Sequence, residues 1–427
     1  MARDLFLGID IGTGGVRACA IDAEARIAGL GQVALPAPRR DGDAIDQDPE
    51  LWWQGVKGAL AALGNSVDLA AIRRVSVDGT SGTLLLTDRD GKPLSLGLMY
   101  NDARAADEAR QIADVAPPES GAHGRSSALA KLLHLTGRQG ISRAVHALHQ
   151  ADWIAGRLTG RYGLSDENNA LKLGYDPVAR AWPDWLDRLG VSRSLLPNVL
   201  VPGMESGAIT PATARETGLP AAAHVHAGTT DGVAAFIATG ANAPGDAVTS
   251  LGTTLVVKLL CDRPIFAAGQ GNYSHRLGEK WLAGGASNTG GAALLAHFTA
   301  AQMETLTPKL RPDRPTGLDY YPLPKPGERF PIADPNLPPR VSPRPEDDAT
   351  FFQGLLEGIA SVEALAYRRL AELGAPAPRR VISIGGGAKN AAWSRIRGRI
   401  LGVPIEPAEQ PEASYGAALL ALHAGPP

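Results

Sequence analysis

Two segments of this chain share one layout: a short apolar run, a turn of glycine and threonine, and a second apolar run. The first is GIDIGTGGVRACAID, Gly8 to Asp22, and the second is GDAVTSLGTTLVVKLLC, Gly245 to Cys261. Apolar runs of this length around a Gly-rich turn predict a β-hairpin. The recurrence of this layout in a chain of 427 residues indicates two domains built on one plan. A chain of this length also exceeds what one hydrophobic core usually supports.

Strand-like and helix-like patterns alternate between the two hairpins, which favours an α/β fold. Asp48 and Pro49 are typical of a helix N-cap and first turn, and apolar residues recur on one face as far as Leu63. The other predicted elements are a strand at 72–79, a hairpin at 83–94, a helix at 146–160, a strand, turn and helix at 224–240, and a strand, triple-Gly turn and helix at 380–405.

The composition excludes several classes of partner. The 42 basic and 44 acidic side chains nearly cancel, so charge gives no reason to expect nucleic acid or an anionic membrane. No apolar run is long enough to span a membrane. The two cysteines, Cys19 and Cys261, provide neither a disulfide framework nor a CxxC metal pair. We expect both to be buried, in a protein of the reducing cytoplasm.

Residues 307–345 hold 12 of the 33 prolines. Composition alone would allow a flexible linker. The interspersed Leu310, Tyr320, Tyr321, Leu323 and Phe330 favour an ordered loop on the surface instead.

The glycine turns are candidates for phosphate binding. No GxxxxGK[ST] motif is present, and neither GTGGVR nor GGGAKN satisfies GxGxxG. Glycine nevertheless lets backbone N–H groups approach an anion, and a threonine hydroxyl adds a donor. Two such turns with a carboxylate beside one of them could hold a triphosphate and Mg²⁺, which is satisfied by one carboxylate together with phosphates and water.

Five motifs in order carry a resemblance to a known family. They are GIDIGTGGVRA, AGTTDGVAA, SLGTTLVV, PGERFP and IGGGAKNAAWSRIRGRILGVPI. Together they resemble the FGGY carbohydrate kinases of the sugar kinase/Hsp70/actin superfamily. The resemblance implies an α/β fold of two ribonuclease-H-like (actin-like ATPase) domains flanking a deep catalytic cleft. The implied sugar-binding domain covers residues 1–235 with 412–427, and the ATP-binding domain covers 236–411.

The resemblance also implies a role for individual residues. Asp10 would hold Mg²⁺, and Asp231 would be the general base on the sugar hydroxyl. The residues implied to contact ATP are Thr13 and Arg17 in the first phosphate loop, Gly252 and Thr253 in the second, Gly290 in the turn Ser287–Gly291 beside the adenine, and Gly386, Gly387 and Asn390 beside the adenosine. The position of Asp231 at the start of a predicted helix suits a carboxylate that takes a proton, because the helix N-terminus favours its ionised form.

The motifs SVDGTSGTLLLTD and MYNDARA resemble the compact pentulose kinases. The turn Thr80-Ser81-Gly82 stands where ordinary xylulose kinases carry a motif with glutamine and histidine. We therefore expect phosphorylation of D-ribulose at its terminal hydroxyl, with D-xylulose or another small ketose or polyol as the alternative. The expected partners are the sugar and ATP, and the expected state is a monomer or homodimer.

Most of these residues also have a purely structural interpretation. Asp10 could cap a hairpin, Asp231 could cap a helix, and Thr80 and Ser81 could be ordinary turn residues. Asn101, Asp102 and Arg104 could fix a turn, and the segment 165–174 could be either a polar loop or a wall of the sugar site. His224 and His226 have metal-ligand spacing, but the sequence suggests no third ligand. Trp52 and Trp53 are expected to be one core and one surface aromatic.

Two other classes of function share some of these features. An actin-like or chaperone-like ATPase would have the phosphate loops but would need no polar sugar turn. A catalytically silent sugar-binding regulator would not need the carboxylates Asp10 and Asp231.

Overall fold

The computed structural model describes residues 4–137, 141 and 143–424. The chain divides into two compact units, the first comprising Met1–Ala238 with Glu412–Pro427 and the second comprising Thr239–Pro411. Residues 1–3 and 425–427, which belong to the predicted first domain, lie outside the described residues.

The described strands are listed here in chain order. They are β1 (Leu5–Gly12), β2 (Gly15–Ile21), β3 (Ile27–Ala34), β4 (Arg39–Asp41), β5 (Ala44–Gln47), β6 (Ile72–Gly79), β7 (Leu84–Thr87), β8 (Gly97–Leu98), β9 (His146–His149), β10 (Leu164–Asp166), β11 (Asn198–Leu200), β12 (Glu205–Ala208), β13 (His224–Thr230), β14 (Asp246–Leu251), β15 (Leu255–Cys261), β16 (Asn272–Leu277), β17 (Lys280–Ser287), β18 (Arg380–Ile384) and β19 (Ile405–Pro407).

The described α-helices connect these strands and cover the sheets. They are α1 (Pro49–Leu63), α2 (Ala106–Ala113), α3 (Ala128–Gly137), α4 (Gln150–Thr159), α5 (Glu167–Ala170), α6 (Pro211–Thr217), α7 (Asp231–Ala238), α8 (Gly291–Leu295), α9 (Ala300–Leu306), α10 (Asp348–Glu372), α11 (Ala391–Leu401) and α12 (Ala413–His423). Within the described ranges, these helices are too short or too polar to cross a bilayer.

The first unit is built on a sheet with the strand order β12-β13-β6-β1-β2-β3. Strands β1, β2 and β3 form an antiparallel meander, whereas β6 lies parallel to β1 and β13 lies parallel to β6. The predicted first hairpin is confirmed, with Asp10 opposite Arg17 and Gly12 opposite Gly15.

The second unit repeats this plan in the order β16-β17-β15-β14-β18-β19. Here β14, β15 and β17 are successive antiparallel strands, and β18 and β19 extend the sheet in parallel from β14. The predicted second hairpin is thereby confirmed, and so is the inference from the repeat that two parts of the chain share one architecture.

Helices cover the sheet of the first unit. Helix α1 begins where predicted, since the Asp48 side chain accepts a hydrogen bond from the Glu50 N–H and Pro49 occupies the first turn. It packs on β2 and β3, and α12 packs on β1, β6 and α7. The contact with α12 is close, because a Cβ added at Gly8 would lie 2.0 Å from the Ser414 carbonyl oxygen.

The expectation of one buried and one exposed tryptophan on α1 is wrong, because Trp52 and Trp53 are both buried. A small sheet of the order β4-β5-β8-β7-β9 covers Trp52, and a Cβ at Gly97 on β8 would overlap its ring. The Trp52 indole donates to Gln47 Oε1 at 2.6 Å, which satisfies its buried N–H.

The predicted helix at 146–160 is only partly right. His146–His149 forms β9, antiparallel to β7 with Leu148 opposite Leu85, and α4 begins at Gln150. The helix ends at Gly160 as predicted, with a left-handed φ of 69°. The predicted hairpin at 83–94 has its turn at Gly91, φ 78°, but its return limb forms only an isolated bridge between Thr87 and Pro93.

The Pro-rich segment packs on the second unit. Tyr320, Tyr321 and Leu323 are buried in one cluster with the apolar face of α10, and Phe330 is buried in another with β15 and β17. This burial supports the prediction of an ordered surface segment over that of a linker.

Candidate active site

The carboxyl ends of three parallel strands in the first unit gather the acidic residues. Asp10 on β1 lies beside Asp78 on β6, and Asp78 lies beside Thr229 on β13. Asp231 follows directly as the first residue of α7. In open α/β sheets ligands bind outside the carboxyl ends of the strands, so this edge is the candidate active site.

Asp10 has one cationic partner. Its side chain is 4% exposed as part of the buried strand, and Arg17 Nη1 donates to Asp10 Oδ2 at 2.9 Å from the opposite strand of the hairpin. Burial raises the pKa of Asp10 above its usual range, and the Arg17 guanidinium opposes that shift. Arg17 itself is half-exposed, so its guanidinium is accessible to an anion.

Asp78 is a site residue that sequence reasoning did not single out. It is fully buried, no N–H group of the described residues donates to its carboxyl oxygens, and its hydrogen-bonding neighbour is the carboxyl group of Asp10. Burial, together with the carboxylates of Asp10 and Asp231, raises the pKa of Asp78 well above its ordinary value. The only sequence signal is an acidic residue inside an otherwise apolar strand end, VSVDG.

Asp231 occupies the junction between β13 and α7. It lies in the first turn of the helix, half-buried, and the Gly232 N–H donates to Asp231 Oδ1 at 2.6 Å. The predicted strand and helix are confirmed, but the predicted turn between them is wrong: Gly228-Thr229-Thr230 ends β13 and Asp231 begins α7, so the strand runs directly into the helix.

The predicted sugar turn follows β6 on the same edge of the sheet. Gln150 Oε1, which is buried at the start of α4, accepts hydrogen bonds from the Thr80 N–H at 3.1 Å and the Thr80 hydroxyl at 2.8 Å. Gly82 has a φ of 87°, which requires glycine, and the buried Ser81 Oγ has no partner within the described residues. Sequence reasoning missed Gln150, because its contact with Thr80 depends on the fold.

The segment 165–174 contacts the strand that leads to Asp231. Asp166 caps α5 by accepting from the Asn168 and Asn169 N–H groups, and Asn168 Nδ2 donates to Thr229 Oγ1 at 3.0 Å. Burial raises the pKa of Asp166 to about 7. These contacts place the segment beside the acidic edge of the sheet.

The polar cluster near residue 102 fixes a turn. Asp102 is fully buried and accepts from the Ile45 N–H at 2.6 Å and from Arg104 Nε at 2.8 Å, while Arg104 Nη2 lies 2.6 Å from Asp46. The structural interpretation of Asp102 and Arg104 therefore accounts for their contacts. Asn101 Oδ1 has no partner within the described residues.

The two histidines of β13 have ordinary partners. His224 Nδ1 lies 2.6 Å from Glu205 Oε1, and His226 Nδ1 lies 2.9 Å from the Gly203 carbonyl oxygen. Across the ranges that the structure describes, no group of three or more His, Cys, Asp or Glu side chains is arranged to hold a metal ion.

The second unit brings two of the predicted nucleotide turns together. The Gly291 N–H donates to the Gly252 carbonyl at 2.9 Å, and the Ala292 N–H donates to the Thr253 carbonyl at 3.0 Å. Gly290 has a φ of 132°, and a Cβ there would lie 3.0 Å from the Thr253 oxygen. The turns 252–253 and 287–291 are thus one packed substructure.

The triple-Gly turn joins this substructure through β14. A Cβ at Gly387 would lie 2.8 Å from Leu251 Cβ, whereas a Cβ at Gly386 would meet nothing within 4 Å. Packing therefore explains Gly385 and Gly387, and Gly386 leaves open backbone that a ligand could approach. Asn390 caps α11, accepting from the Trp393 N–H at 3.0 Å, so its side chain also has a structural role.

The carboxyl groups of the acidic edge could bind Mg²⁺ only together with other oxygen ligands, such as phosphates and water. Asp10 and Asp78 supply carboxyl oxygens, the type of ligand that Mg²⁺ prefers. Mg²⁺ usually binds one or two carboxylates together with phosphates and water, so the donor set fits an ion that arrives with a nucleotide.

Comparison with known proteins identifies the family. The FGGY family of carbohydrate kinases has two domain models: the N-terminal one matches residues 5–238 and the C-terminal one matches residues 247–425. A xylulose kinase from Streptomyces coelicolor is 28% identical over 97% of this chain and 86% of that protein. A xylulose kinase from Escherichia coli is 26% identical over 65% of this chain, and the match spans 59% of that protein.

The same relationship appears in the fold. The crystal structure of a protein described as a xyloylose kinase from Brucella ovis superimposes with a TM-score of 0.91 at 25% identity, over 98% of this chain and 90% of that one. The predicted fold class, two α/β domains of the actin-like ATPase type, is confirmed. The family matches cover nearly the whole chain, and the chain therefore belongs to the FGGY family of carbohydrate kinases.

Proposed function

We propose that this protein transfers the terminal phosphoryl group of ATP to the terminal hydroxyl of a pentulose, and that the preferred pentulose is D-ribulose. The observation that carries the proposal is the convergence of Asp10, Asp78, Asp231 and the turn Thr80–Gly82 at the carboxyl edge of one sheet. A polar turn beside a carboxylate is what an uncharged polyhydroxy acceptor needs, because each buried hydroxyl must find a partner.

In this proposal Asp231 is the general base. Its carboxylate accepts the proton of the attacking hydroxyl as the new oxygen–phosphorus bond forms and the bond to the leaving ADP breaks. Phosphoryl transfer depends on positioning and charge stabilisation more than on covalent catalysis, so a single well-placed carboxylate is sufficient for the proton. Arg17, half-exposed beside Asp10, is suited to contact the transferring phosphate together with Thr13.

Mg²⁺ would be held by Asp10 and by the phosphates of the nucleotide, and it would neutralise phosphate charge there. The packed turns of the second unit would bind the rest of the nucleotide. Gly252 and Gly386 support this role, since neither position is crowded and backbone N–H groups there could reach phosphate or ribose oxygens.

D-xylulose is the second candidate acceptor, because the relatives reported above are described as xylulose kinases. The turn Gly79-Thr80-Ser81-Gly82 favours D-ribulose, because the glutamine and histidine of the xylulose kinase motif are absent from it. The two sugars differ in the configuration of one hydroxyl, so this turn is the part of the site suited to distinguish them.

A coupled assay of ADP release with a panel of acceptors tests the proposal. With ATP and Mg²⁺ present, we expect the highest kcat/KM for D-ribulose, a lower value for D-xylulose, and little activity with glycerol. A higher kcat/KM for D-xylulose would overturn the choice of acceptor. ADP release that no sugar stimulates would overturn the kinase assignment and favour an ATPase.

A further inference from the structure

The sugar turn is held on one side by two lysines. Lys131 Nζ, from α3, donates to the Gly82 carbonyl at 2.6 Å and to the Ser126 carbonyl at 2.9 Å. Lys172 Nζ donates to the Ser81 carbonyl at 3.2 Å, and its chain lies against Gly82. Successive carbonyls of the turn therefore each bind an ammonium group.

Burying the ammonium group of Lys131 against two carbonyl oxygens carries a large desolvation cost. Its side chain is 0% exposed, and within the described residues no carboxylate lies within ion-pair distance of it. Burial lowers the pKa of Lys131 to about 7; Lys172 and Arg104 add to that shift, and Asp102 opposes it. A neutral donor could make the same hydrogen bonds at a lower desolvation cost.

The lysine contacts determine which way the turn faces. Gln150 holds the turn at Thr80, and a hydrogen bond of 2.6 Å joins the Thr80 and Thr83 hydroxyls, so the first and last residues are fixed. Gly82, with a φ of 87°, has no side chain to restrain it. The peptide before Gly82 is oriented by Lys172, and the peptide after it is oriented by Lys131 together with the Thr83 N–H, which donates to the Thr80 carbonyl at 3.3 Å.

We propose that Lys131 is a positioning residue for the acceptor sugar, which fixes the Ser81–Gly82 backbone so that the unpartnered Ser81 hydroxyl faces the substrate. This inference rests on the proposed function, since it requires that the turn bind an acceptor. Lys131 acts through the turn and does not itself touch the reacting atoms. Its effect therefore falls on sugar binding and leaves nucleotide binding unchanged.

The test compares Lys131→Met with wild type, using whichever acceptor the wild type phosphorylates. We expect the KM of the acceptor to rise at least tenfold, with a smaller change in kcat and an unchanged KM for ATP. Lys280→Met is the matched control, because Lys280 Nζ also donates to a backbone carbonyl, that of Asn242 in the second unit. We expect this control to leave both KM values unchanged.

The dependence on pH separates positioning from a general loss of stability. In the wild type, Lys131 loses its charge as the pH rises through about 7, so the KM of the acceptor should rise over that range. Lys131→Met should show no such rise, and Lys131→Arg should restore a low KM that is flat with pH. Lys172, Asp102 and Arg104, the other charged groups facing Lys131, are the same in all three proteins.

The outcomes are distinguishable. An acceptor KM within twofold of wild type in Lys131→Met would overturn this inference while leaving the proposed function intact. A wild type without sugar-dependent activity would overturn the proposed function instead. If Lys131→Met does not fold, Lys172→Met tests the same turn, because Lys172 Nζ donates to the Ser81 carbonyl. An unchanged acceptor KM in Lys172→Met would contradict the proposal.

Discussion

At the scale of single residues, the proposed phosphoryl transfer depends most on Asp231. It combines a position in the first turn of α7 with a neighbouring sheet edge that carries two further carboxyl groups. Asp10 has Arg17 as an ion-pair partner, and Asp78 is fully buried, so Asp231 is the carboxylate best suited to meet an incoming hydroxyl.

Replacing Asp231 by asparagine should remove the proton acceptor while keeping the shape of the side chain. General-base catalysis contributes about 10²- to 10⁴-fold, so we expect kcat for sugar phosphorylation to fall at least about 100-fold. The affinity for ATP, measured by calorimetry, should stay within a few-fold of wild type. Asp184→Asn, at an exposed position of the same unit, is the control. Near-normal turnover in Asp231→Asn would show that another group takes the proton.

Asp78 predicts an unusual dependence of stability on pH. A buried carboxyl with a raised pKa binds its proton more tightly in the folded state, so the contribution of Asp78 to folding stability is greatest at low pH and falls as the pH rises above about 4. Asparagine cannot ionise. Asp78→Asn should therefore gain stability relative to wild type as the pH rises from 5 to 8.

Denaturant unfolding at pH 5 and pH 8 measures this difference. Asp41→Asn, on the exposed strand β4, should change the free energy of unfolding by little at either pH. The assignment of a raised pKa to Asp78 would be contradicted if Asp78→Asn were equally destabilised at both pH values.

The local sequence pattern pointed to candidate residues beside glycines. It missed the residues that reach the candidate site only through the fold. Asp10 and Asp231 were singled out because each lies beside glycine and threonine in the sequence. Asp78, Gln150 and Lys131 carry no such local signal. Their relevance comes from strand pairing and from contacts with the turn 80–82, which the sequence does not show directly.

At the scale of elements, the second unit is tied together by a buried charged network. Arg397 on α11 and Glu363 on α10 are both 0% exposed and form a bidentate pair with two bonds of 2.7 Å. Arg397 also donates to Ser383 on β18, and Glu363 accepts from Thr249 on β14. This network joins the strands and helix that flank the turns 252–253 and 385–387.

Breaking that pair should destabilise the second unit. Arg397→Met leaves the Glu363 carboxylate buried without its cation, which costs about 3–5 kcal/mol in comparable cases. Arg395→Met is a matched control on the same helix, since the Arg395–Asp313 pair is exposed and such pairs contribute about 0–1 kcal/mol. Thermal unfolding of both variants provides the comparison, and equal losses of stability would contradict the account of this network.

Element prediction succeeded where a pattern had one interpretation. The hairpins at 8–22 and 245–261 and the helices α1 and α11 carry glycine turns or an N-cap at their boundaries. The segment 146–149 was misassigned because its apolar residues also fit the face of the helix that follows. Its pairing with β7 decides the matter, and that pairing is a long-range contact.

At the scale of the whole molecule, the chain consists of two units with the same sheet plan and different residues at the equivalent edge. The first unit carries carboxylates after its parallel strands, and the second carries uncharged glycine turns. We propose on this basis that the first unit binds the sugar and carries the general base, while the second binds the nucleotide. The family matches extend over both units.

The proposed kinase function requires that ATP be consumed by transfer of its terminal phosphoryl group to a sugar. Its most direct test is the stoichiometry of ADP and phosphorylated pentulose formed by the purified protein with ATP, Mg²⁺ and D-ribulose. The account predicts one phosphorylated sugar for each ADP, and almost no ADP when the sugar is left out. ADP formed at the same rate without sugar, or formed with no phosphorylated pentulose, would contradict it.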